Sequence, residues 1–557
     1  MNIKSIGRLF TLTALAVAMA ACHTIPPKAP EQVIAEPNVP IDKSFEILDS
    51  ETISVPESPS MAGVRWQDFY TDPKLKALIE IGLANNKDLQ SAVLAVQSAR
   101  AQYQITSSDA IPKVGSSGSV TRSGGGQDQN ARTGYNVGLA MSGYELDLWG
   151  KVADAKEAAL HTYLASNASK DAAQISIISS IAQGYVNLSY AIAQRQLAIE
   201  TLKTREHSLM ITQKRFAAGI DAKNPSLQAE ASLESAKLAI YTADTNILQL
   251  RNALQLLLGA PIPKDLLPEM AVGNLTAKNV FSAGLPSELL YYRPDIVAAE
   301  HNLKSAGANI NVARAAYFPS ISLSSNVGYS SSSLNDLLKS SAFGWSFGPS
   351  ISLPIFDAGL RRSRYEVAQI AQKSAVVNYE KAIQTAFKEV GDVLAVRATI
   401  NRQLESQYRL QKNYQETYKI AYARFRSGLD DYLSVLDAER SLFGNQQSIL
   451  GLEQQKVISQ IQLYQVLGGG ASLTAEQIAE FANQKEAMRT AVLAHEADLA
   501  KAQADKPKEV GENTVMLVQT QPDELVVMPD TQTGAAQQPN APKAITPNTG
   551  EATLPTF

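Results

Sequence analysis

The chain of 557 residues is far longer than one ordinary soluble domain requires, and with 45% hydrophobic residues it can bury a large apolar surface. Its net charge of −4 excludes the basic field that is typical of nucleic-acid-binding proteins, so no nucleic-acid partner is expected. No stretch after residue 22 is long and apolar enough for a membrane-spanning helix, so a membrane crossing would need strands closed into a barrel.

The N-terminus has the pattern of a secretion signal. Two basic residues precede the apolar run Leu9–Met19, and small residues lead to Cys22, so residues 1–21 are predicted to be a signal peptide. Met19–Cys22 resembles a bacterial lipobox, which implies a covalent diacylglycerol and an N-acyl lipid on Cys22. The alternative is an ordinary cleavage site with an incidental cysteine. The proline-rich residues 22–64 are then expected to form an extended tether.

Two halves of the chain carry the same landmarks. Asp88 recurs as Asp295, an offset of 207 residues (295 − 88). Farther along the chain the offset is 209 residues, as between Gly150 and Gly359 (359 − 150). The other matches at these two offsets are Pro112 with Pro319, Gly219 with Gly428 and Gly259 with Gly468. We therefore predict a tandem structural repeat, with one copy in residues 65–265 and the other in residues 285–470.

Each copy is predicted to contain one very long helix. Lys151–Ala218 and Leu360–Ser427 contain no proline and one glycine each, and such runs would extend over about 100 Å. The helix-patterned stretches that begin the copies are Pro73–Ala110 and Pro294–Phe318, and the returning helices are Ser226–Leu258 and Tyr432–Leu467. A long helix and its returning helix predict an antiparallel hairpin in each copy.

Between these helices the sequence alternates as transmembrane strands do. Tyr135–Leu146, Ser320–Tyr329 and Trp345–Phe356 alternate apolar with small or polar residues, over close to the roughly 9–11 residues that a tilted spanning strand needs. Two strands per copy give four per chain, too few to close a barrel, and an open sheet edge is not tolerated in lipid. The chain must therefore oligomerise if these strands lie in a membrane.

Seven strings along residues 66–469 resemble the outer membrane efflux family of TolC and OprM, most closely its lipidated drug-efflux branch. They are Trp66–Tyr70, Ala84–Leu89, Tyr144–Lys151, Leu285–Leu290, Arg293–Ile296, Ala316–Pro319 and Tyr432–Ala438. The resemblance implies an α+β membrane protein with a long α-helical hairpin tunnel and a transmembrane β-barrel. In such a homotrimer four strands per chain would make twelve, and the channel would be a passive conduit for drugs and toxic small molecules.

The implied partners are a periplasmic adaptor, also called a membrane fusion protein, and an RND-type inner-membrane transporter. The implied location is the outer membrane, with the helices reaching into the periplasm. An outlet for type I protein secretion or for metal-ion efflux is the alternative within the family. The predicted lipid favours drug efflux, and the lack of Met or His clusters along the bore weighs against a metal-specific role. A lipid-tethered structural rod is the alternative outside the family.

The resemblance also implies a gate. Leu433 and Asp437 lie four residues apart, hence on one helix face, and match a Leu and an Asp that point into the bore in the lipidated branch. Three copies would form an apolar ring and an acidic ring, which an iris-like movement of the tips would open. The alternative for Asp437 is a solvated helix acid.

The second implied site is the pair of helical tips at Gly219 and Gly428, where the family's adaptor meets the duct. Glycine suits the left-handed residue that ends a helix, so the alternative is that both glycines only turn the chain. Asp430 and Asp431 are predicted to be surface acids at the tip, with Arg424 or Arg426 as partners.

Enzymatic functions receive no support from the sequence. The five histidines are scattered without metal-ligand spacing, and no P-loop string is present, so neither a metal site nor a cofactor is expected. Beyond the resemblance, residues 471–557 are predicted to form a helix over Thr474–Ala504 and then a proline-containing disordered tail.

Overall fold

A computed structural model of the protein describes residues 64–124, 131–273, 275–276 and 293–469. The predicted signal peptide, Cys22, the tether up to residue 63 and the segment 471–557 lie outside these residues. The described part is mostly helical with one four-stranded antiparallel sheet, so the α+β prediction is confirmed.

The helices and strands follow in the order that the sequence predicts. In chain order they are α1 (Trp66–Phe69), α2 (Pro73–Asn85), α3 (Lys87–Ser108), β1 (Val114–Ser123), β2 (Arg132–Glu145), α4 (Lys151–Ala217), α5 (Lys223–Leu258), α6 (Pro294–Ala315), β3 (Ser320–Ser331), β4 (Phe343–Ser352), α7 (Leu360–Arg426) and α8 (Tyr432–Val466). The helices α4 and α7 contain 67 residues each, and both of their ends differ by 209 positions (360 − 151; 426 − 217).

The main hydrophobic core surrounds the middle of α4. The apolar positions that predicted its packing are all buried, namely Ile175, Ile178, Ala182, Tyr185 and Leu188. The last four of them pack with α2, α5 and the far end of α8, where the rings of Phe69 and Tyr464 stack with 4.2 Å between centroids. Burial of so many large side chains in one cluster fixes where the other helices lie along α4.

The helix-patterned stretch Pro73–Ala110 forms two helices and not one, because the chain breaks at Asn86. This residue has extended backbone angles and is almost fully buried. Its Oδ1 accepts the N–H of Leu89 at 2.9 Å, which caps α3, and its Nδ2 donates to the carbonyl of Leu257 at 2.8 Å. One side chain therefore supplies hydrogen-bond partners both to the start of α3 and to the last turn of α5. This explains why the chain breaks at Asn86.

Arg293 lies 207 positions after Asn86 (293 − 86) and binds the end of the returning helix at the corresponding place. Its Nη1 donates to the carbonyl of Val466 in the last turn of α8 at 2.9 Å. Its Nε and Nη2 donate to the carboxylate of Asp295, and Nη2 also donates to Glu389. The Arg293–Ile296 string of the sequence is thus a capping device that ties α6 to the end of α8.

The sheet has the order β1-β2-β3-β4, and its register gives it two unlike faces. Val327 of β3 lies opposite Leu139 of β2 and Trp345 of β4, on a face that is largely apolar. The neighbouring residues, such as Asn326 opposite Ser346, place small and polar side chains on the other face. In the described chain β1 and β4 are edge strands, each paired on one side only.

The strand predicted over Trp345–Phe356 begins earlier and ends earlier, at Phe343 and Ser352. Pro354 has no N–H to donate to a ladder, which stops the pairing before the predicted end.

Two of the five histidines, which lie 140 residues apart in the sequence, come together in the fold. His161 of α4 and His301 of α6 approach with 3.2 Å between their Nδ1 atoms. Burial lowers the pKa of His301 to about 4 and also lowers that of His161. The nearby Lys304 lowers both pKa values further, whereas Glu300 raises both and Glu157 raises that of His161. The packed seam between α4 and α6 therefore holds two neutral imidazoles.

The pair of His161 and His301 predicts that the folded protein loses stability at acidic pH. A histidine whose folded pKa is depressed contributes stability that is fully present above its unfolded pKa of about 6.5 and is lost as pH falls toward about 4. The double variant His161→Ile/His301→Leu should therefore lose less melting temperature between pH 7 and pH 4.5 than the parent chain. The matched control is the exposed His207→Leu, and an equal loss in parent and double variant would contradict the assignment.

Candidate functional site at the helical tips

Both hairpins turn through the same backbone motif. At the end of α4, Ile220 N–H donates to the carbonyl of Arg215 at 2.9 Å, and Gly219 N–H donates to Phe216. The end of α7 repeats this with Leu429 donating to Arg424, also at 2.9 Å. Gly219 and Gly428 have φ of 67° and 72°, which costs a residue with a Cβ about 1–2 kcal/mol. The predicted tip glycines are thus required by the turn itself.

An arginine–aspartate clamp closes each turn. Arg215 Nε and Nη2 donate to the two carboxylate oxygens of Asp221 at 2.7 and 3.0 Å, and Arg424 binds Asp430 in the same bidentate way at 2.6 and 3.0 Å. The bonds to arginine lower the pKa of both aspartates. Of the acids predicted at this tip, Asp430 therefore has its arginine partner, whereas Asp431 caps α8 by accepting the N–H of Ser434.

The two tips pack against each other. The guanidinium of Arg215 lies over the ring of Phe425, 4.9 Å from its centroid, and so joins the first tip to the second. Behind this contact a small core contains buried residues of both hairpins, including Ala229 of α5 and Tyr432, Val435 and Leu436 of α8. These three α8 residues therefore mark the face of α8 that points toward the chain's own core.

The predicted gate residues lie on the opposite face of α8. Leu433 is exposed although it is a large apolar residue, and the side chain of Asp437 is more than half exposed. Arg440 approaches Asp437 at 3.8 Å, an exposed pair that contributes little stability. In the single chain both residues therefore face away from its own core.

A buried ion pair holds this part of α8, and sequence reasoning missed it. Arg205 of α4 donates through Nε to Glu439 at 2.7 Å, with both side chains only 6% exposed, and through Nη1 to the carbonyl of Ser232 at 2.8 Å. Within the described residues the second carboxylate oxygen of Glu439 has no hydrogen-bond partner. Removing one member of such a pair costs about 3–5 kcal/mol, because the other charge stays buried. The pair thus fixes the helix segment that carries Leu433 and Asp437.

Over the described ranges, no group of three or more His, Cys, Asp or Glu side chains is placed to hold a metal ion. The same part of the chain contains no helix that combines the length and the apolar character needed to span a membrane. Cys22, the predicted lipid site, lies outside the structure's described residues.

Several curated relatives of this chain are named as efflux proteins. It is 38% identical to the cation efflux system protein CusC of Escherichia coli K12 over 82% of this chain and 98% of the relative. It is 37% identical to the probable outer membrane lipoprotein SilC of Salmonella typhimurium over 83% of this chain and 99% of the relative. The antibiotic efflux pump outer membrane protein ArpC of Pseudomonas putida is 38% identical, with 83% of this chain and 95% of the relative covered.

Solved structures agree in fold as well as in sequence. The open state of the Neisseria gonorrhoeae MtrE outer membrane channel superposes with a TM-score of 0.71 at 36% identity, covering 80% of this chain and 98% of that chain. The model of the family described as Outer membrane efflux protein matches residues 78–260 and again residues 285–469. The chain is therefore a member of the outer membrane efflux protein family.

Proposed function

We propose that this chain is the outer-membrane channel subunit of a tripartite efflux pump and works as a trimer. The observation that carries the proposal is the sheet with two open edges and one apolar face. Its strands of 10, 14, 12 and 10 residues are long enough to cross a bilayer when tilted. Three copies would close twelve strands into a barrel, with the apolar face toward lipid and the small polar residues toward the lumen.

The lipid anchor belongs to the same proposal. Cys22 follows a signal-like segment, and SilC, a relative over nearly its whole length, is named a lipoprotein. A lipid on Cys22 would hold the N-terminus at the membrane, while α4, α5, α7 and α8 extend into the periplasm toward an adaptor and an inner-membrane transporter. The chain itself would act as a passive conduit and not as an enzyme.

The cargo is a separate part of the proposal. Relatives at the same 38% identity are named for cation efflux and for antibiotic efflux. We propose toxic organic molecules as the cargo class, because among the described residues no group of three or more His, Cys, Asp or Glu side chains is placed to hold a metal ion. Metal ions are the second candidate, on the strength of CusC. Restored growth of an outlet-deficient strain on organic toxicants or on salts of toxic metal cations would separate the two.

The channel function predicts two properties of the purified full chain. It should run as a trimer by light scattering and conduct ions across planar bilayers, because only a closed ring of copies satisfies the sheet edges in lipid. A monomer that leaves the bilayer insulating would instead support a lipid-tethered structural rod.

For the gate, Leu433→Ala/Asp437→Ala should raise the single-channel conductance of the isolated trimer. The physical reason is that removing an apolar ring and an acidic ring widens the narrowest point of the bore. The matched control is Asn224→Ala/Gln228→Ala, the same positions of the other hairpin (433 − 209; 437 − 209). Conductance that stays at the parent value in the gate variant would rule out this assignment.

At the tips, we propose that the turns around Gly219 and Gly428 contact the adaptor. Ile220 and Leu429 follow these glycines and are large, apolar and exposed, as a docking surface requires. A photo-crosslinking residue at either position should capture a co-expressed periplasmic adaptor. The equally exposed Trp345, at the sheet end, serves as the control. Equal capture from all three positions would count against tip docking.

A further inference from the structure

The two histidines that meet between α4 and α6 have no counterpart in the other copy of the repeat. His161 lies 209 positions before Ile370 (370 − 161), and His301 lies 207 positions after Leu94 (301 − 94). Aliphatic residues thus occupy both positions in the duplicated elements. The fold of the repeat therefore does not require imidazole at these places, and the pair is a feature of this seam alone.

The Nδ1 atoms of the two rings point toward each other. They are 3.2 Å apart, whereas the ring centroids are 5.3 Å apart and the ring planes differ by 25°. Rings that overlapped face to face could not have centroids so much farther apart than these nitrogens, so the rings meet edge to edge. Since both rings are neutral, one Nδ1 carries a proton and donates it to the other, which accepts with its lone pair.

The other nitrogen of His161 faces a carboxylate. Glu157 lies one turn earlier on α4, and its Oε1 is 4.0 Å from Nε2 of His161. A carboxylate at this place favours the tautomer with its proton on Nε2, which leaves the lone pair on Nδ1. An imidazole whose second N–H is directed at a carboxylate is the usual arrangement of histidines that bind metal ions.

The charges around the pair admit a cation. Lys304 lies near both rings, but its Nζ binds Glu300, one turn earlier on α6, at 2.6 Å, so its charge is offset. Glu157 adds a negative charge on the side of α4. Both imidazoles keep some exposed surface, and the side chain of His161 is 17% exposed. An ion can therefore reach the two rings from solvent without separation of the helices.

We propose that His161 and His301 bind one divalent late transition-metal ion, such as Zn²⁺ or Ni²⁺, through their Nδ1 atoms. Imidazole nitrogen suits these ions, and bonds of about 2.0–2.1 Å to two nitrogens 3.2 Å apart enclose an angle of about 100°. That angle fits a tetrahedral or an octahedral ion whose other positions are filled by water. Rotation of each ring about its soft χ2 torsion directs the lone pairs at the ion.

Binding of the ion needs no net loss of a proton. The proton that one Nδ1 shares with the other moves through solvent to Nε2 of its own ring, so both rings stay neutral and both Nδ1 lone pairs coordinate the metal. Because the two ligands come from different helices, the ion ties α4 to α6 and stabilises the folded state by mass action. The site lies within one chain, so it depends neither on the proposed trimer nor on its cargo.

Metal binding to the untagged full-length chain tests the site. Saturating Zn²⁺ or Ni²⁺ should raise the melting temperature by a few degrees, and a chelator should reverse the rise. The double variant His161→Ile/His301→Leu, which installs the residues of the other copy, should abolish the effect. The matched control His23→Gln/His207→Gln/His495→Gln removes the three other histidines and should keep it.

Cu²⁺ gives a second readout, because its electron paramagnetic resonance spectrum reports the number of coordinated nitrogens. The control variant, in which His161 and His301 are the remaining histidines, should bind one Cu²⁺ per chain through two imidazole nitrogens. This count requires no change at the pair itself, so it stands even where the double variant fails to fold. Fewer than two nitrogens, or equal melting shifts in the parent chain and the double variant, would mean an adventitious ion only and overturn the site.

Discussion

The structure depends on the packing around one helix. Along its length, α4 contacts α2, α3, α5, α6 and α8, so nearly every face of it is used. A helix turns by about 100° per residue. Successive residues of one short segment of α4 therefore contact different neighbouring helices. Ile178, Ile181 and Tyr185, which have no exposed surface, show how closely these neighbours approach. The orientation of both hairpins relative to each other follows from α4.

The two ends of the long helices differ in the kind of side chain they expose. At the sheet end, large apolar side chains such as Trp345 and Phe347 are exposed in the single chain, a state that only lipid or another subunit relieves. At the tip end, charges are neutralised locally, as in the clamp of Arg215 with Asp221. Such local neutralisation lets a tip keep its shape whether or not something binds to it.

Local features of the fold could be predicted from the sequence, and contacts between distant residues could not. The absence of proline and the strong helix formers predicted α4 and α7 to within one residue. The break at Asn86 escaped prediction because its cause is the carbonyl of Leu257, which only tertiary packing brings near. The pairs His161–His301 and Arg205–Glu439 span 140 and 234 residues, and no local pattern marks them. At the candidate site, the i, i+4 spacing predicted a shared face for Leu433 and Asp437. The buried pair Arg205–Glu439, which orients this face, could not be predicted.

The equal length of α4 and α7 has a consequence for how such a chain tolerates change. Loss or gain of one residue in the middle of either helix would turn everything beyond it by about 100°, and buried positions would exchange places with exposed ones. Gain or loss of seven residues would leave the faces within about 20° of their places. Evolution of these helices is therefore expected to proceed by substitution at fixed length, or by steps of whole heptads made in both copies at once.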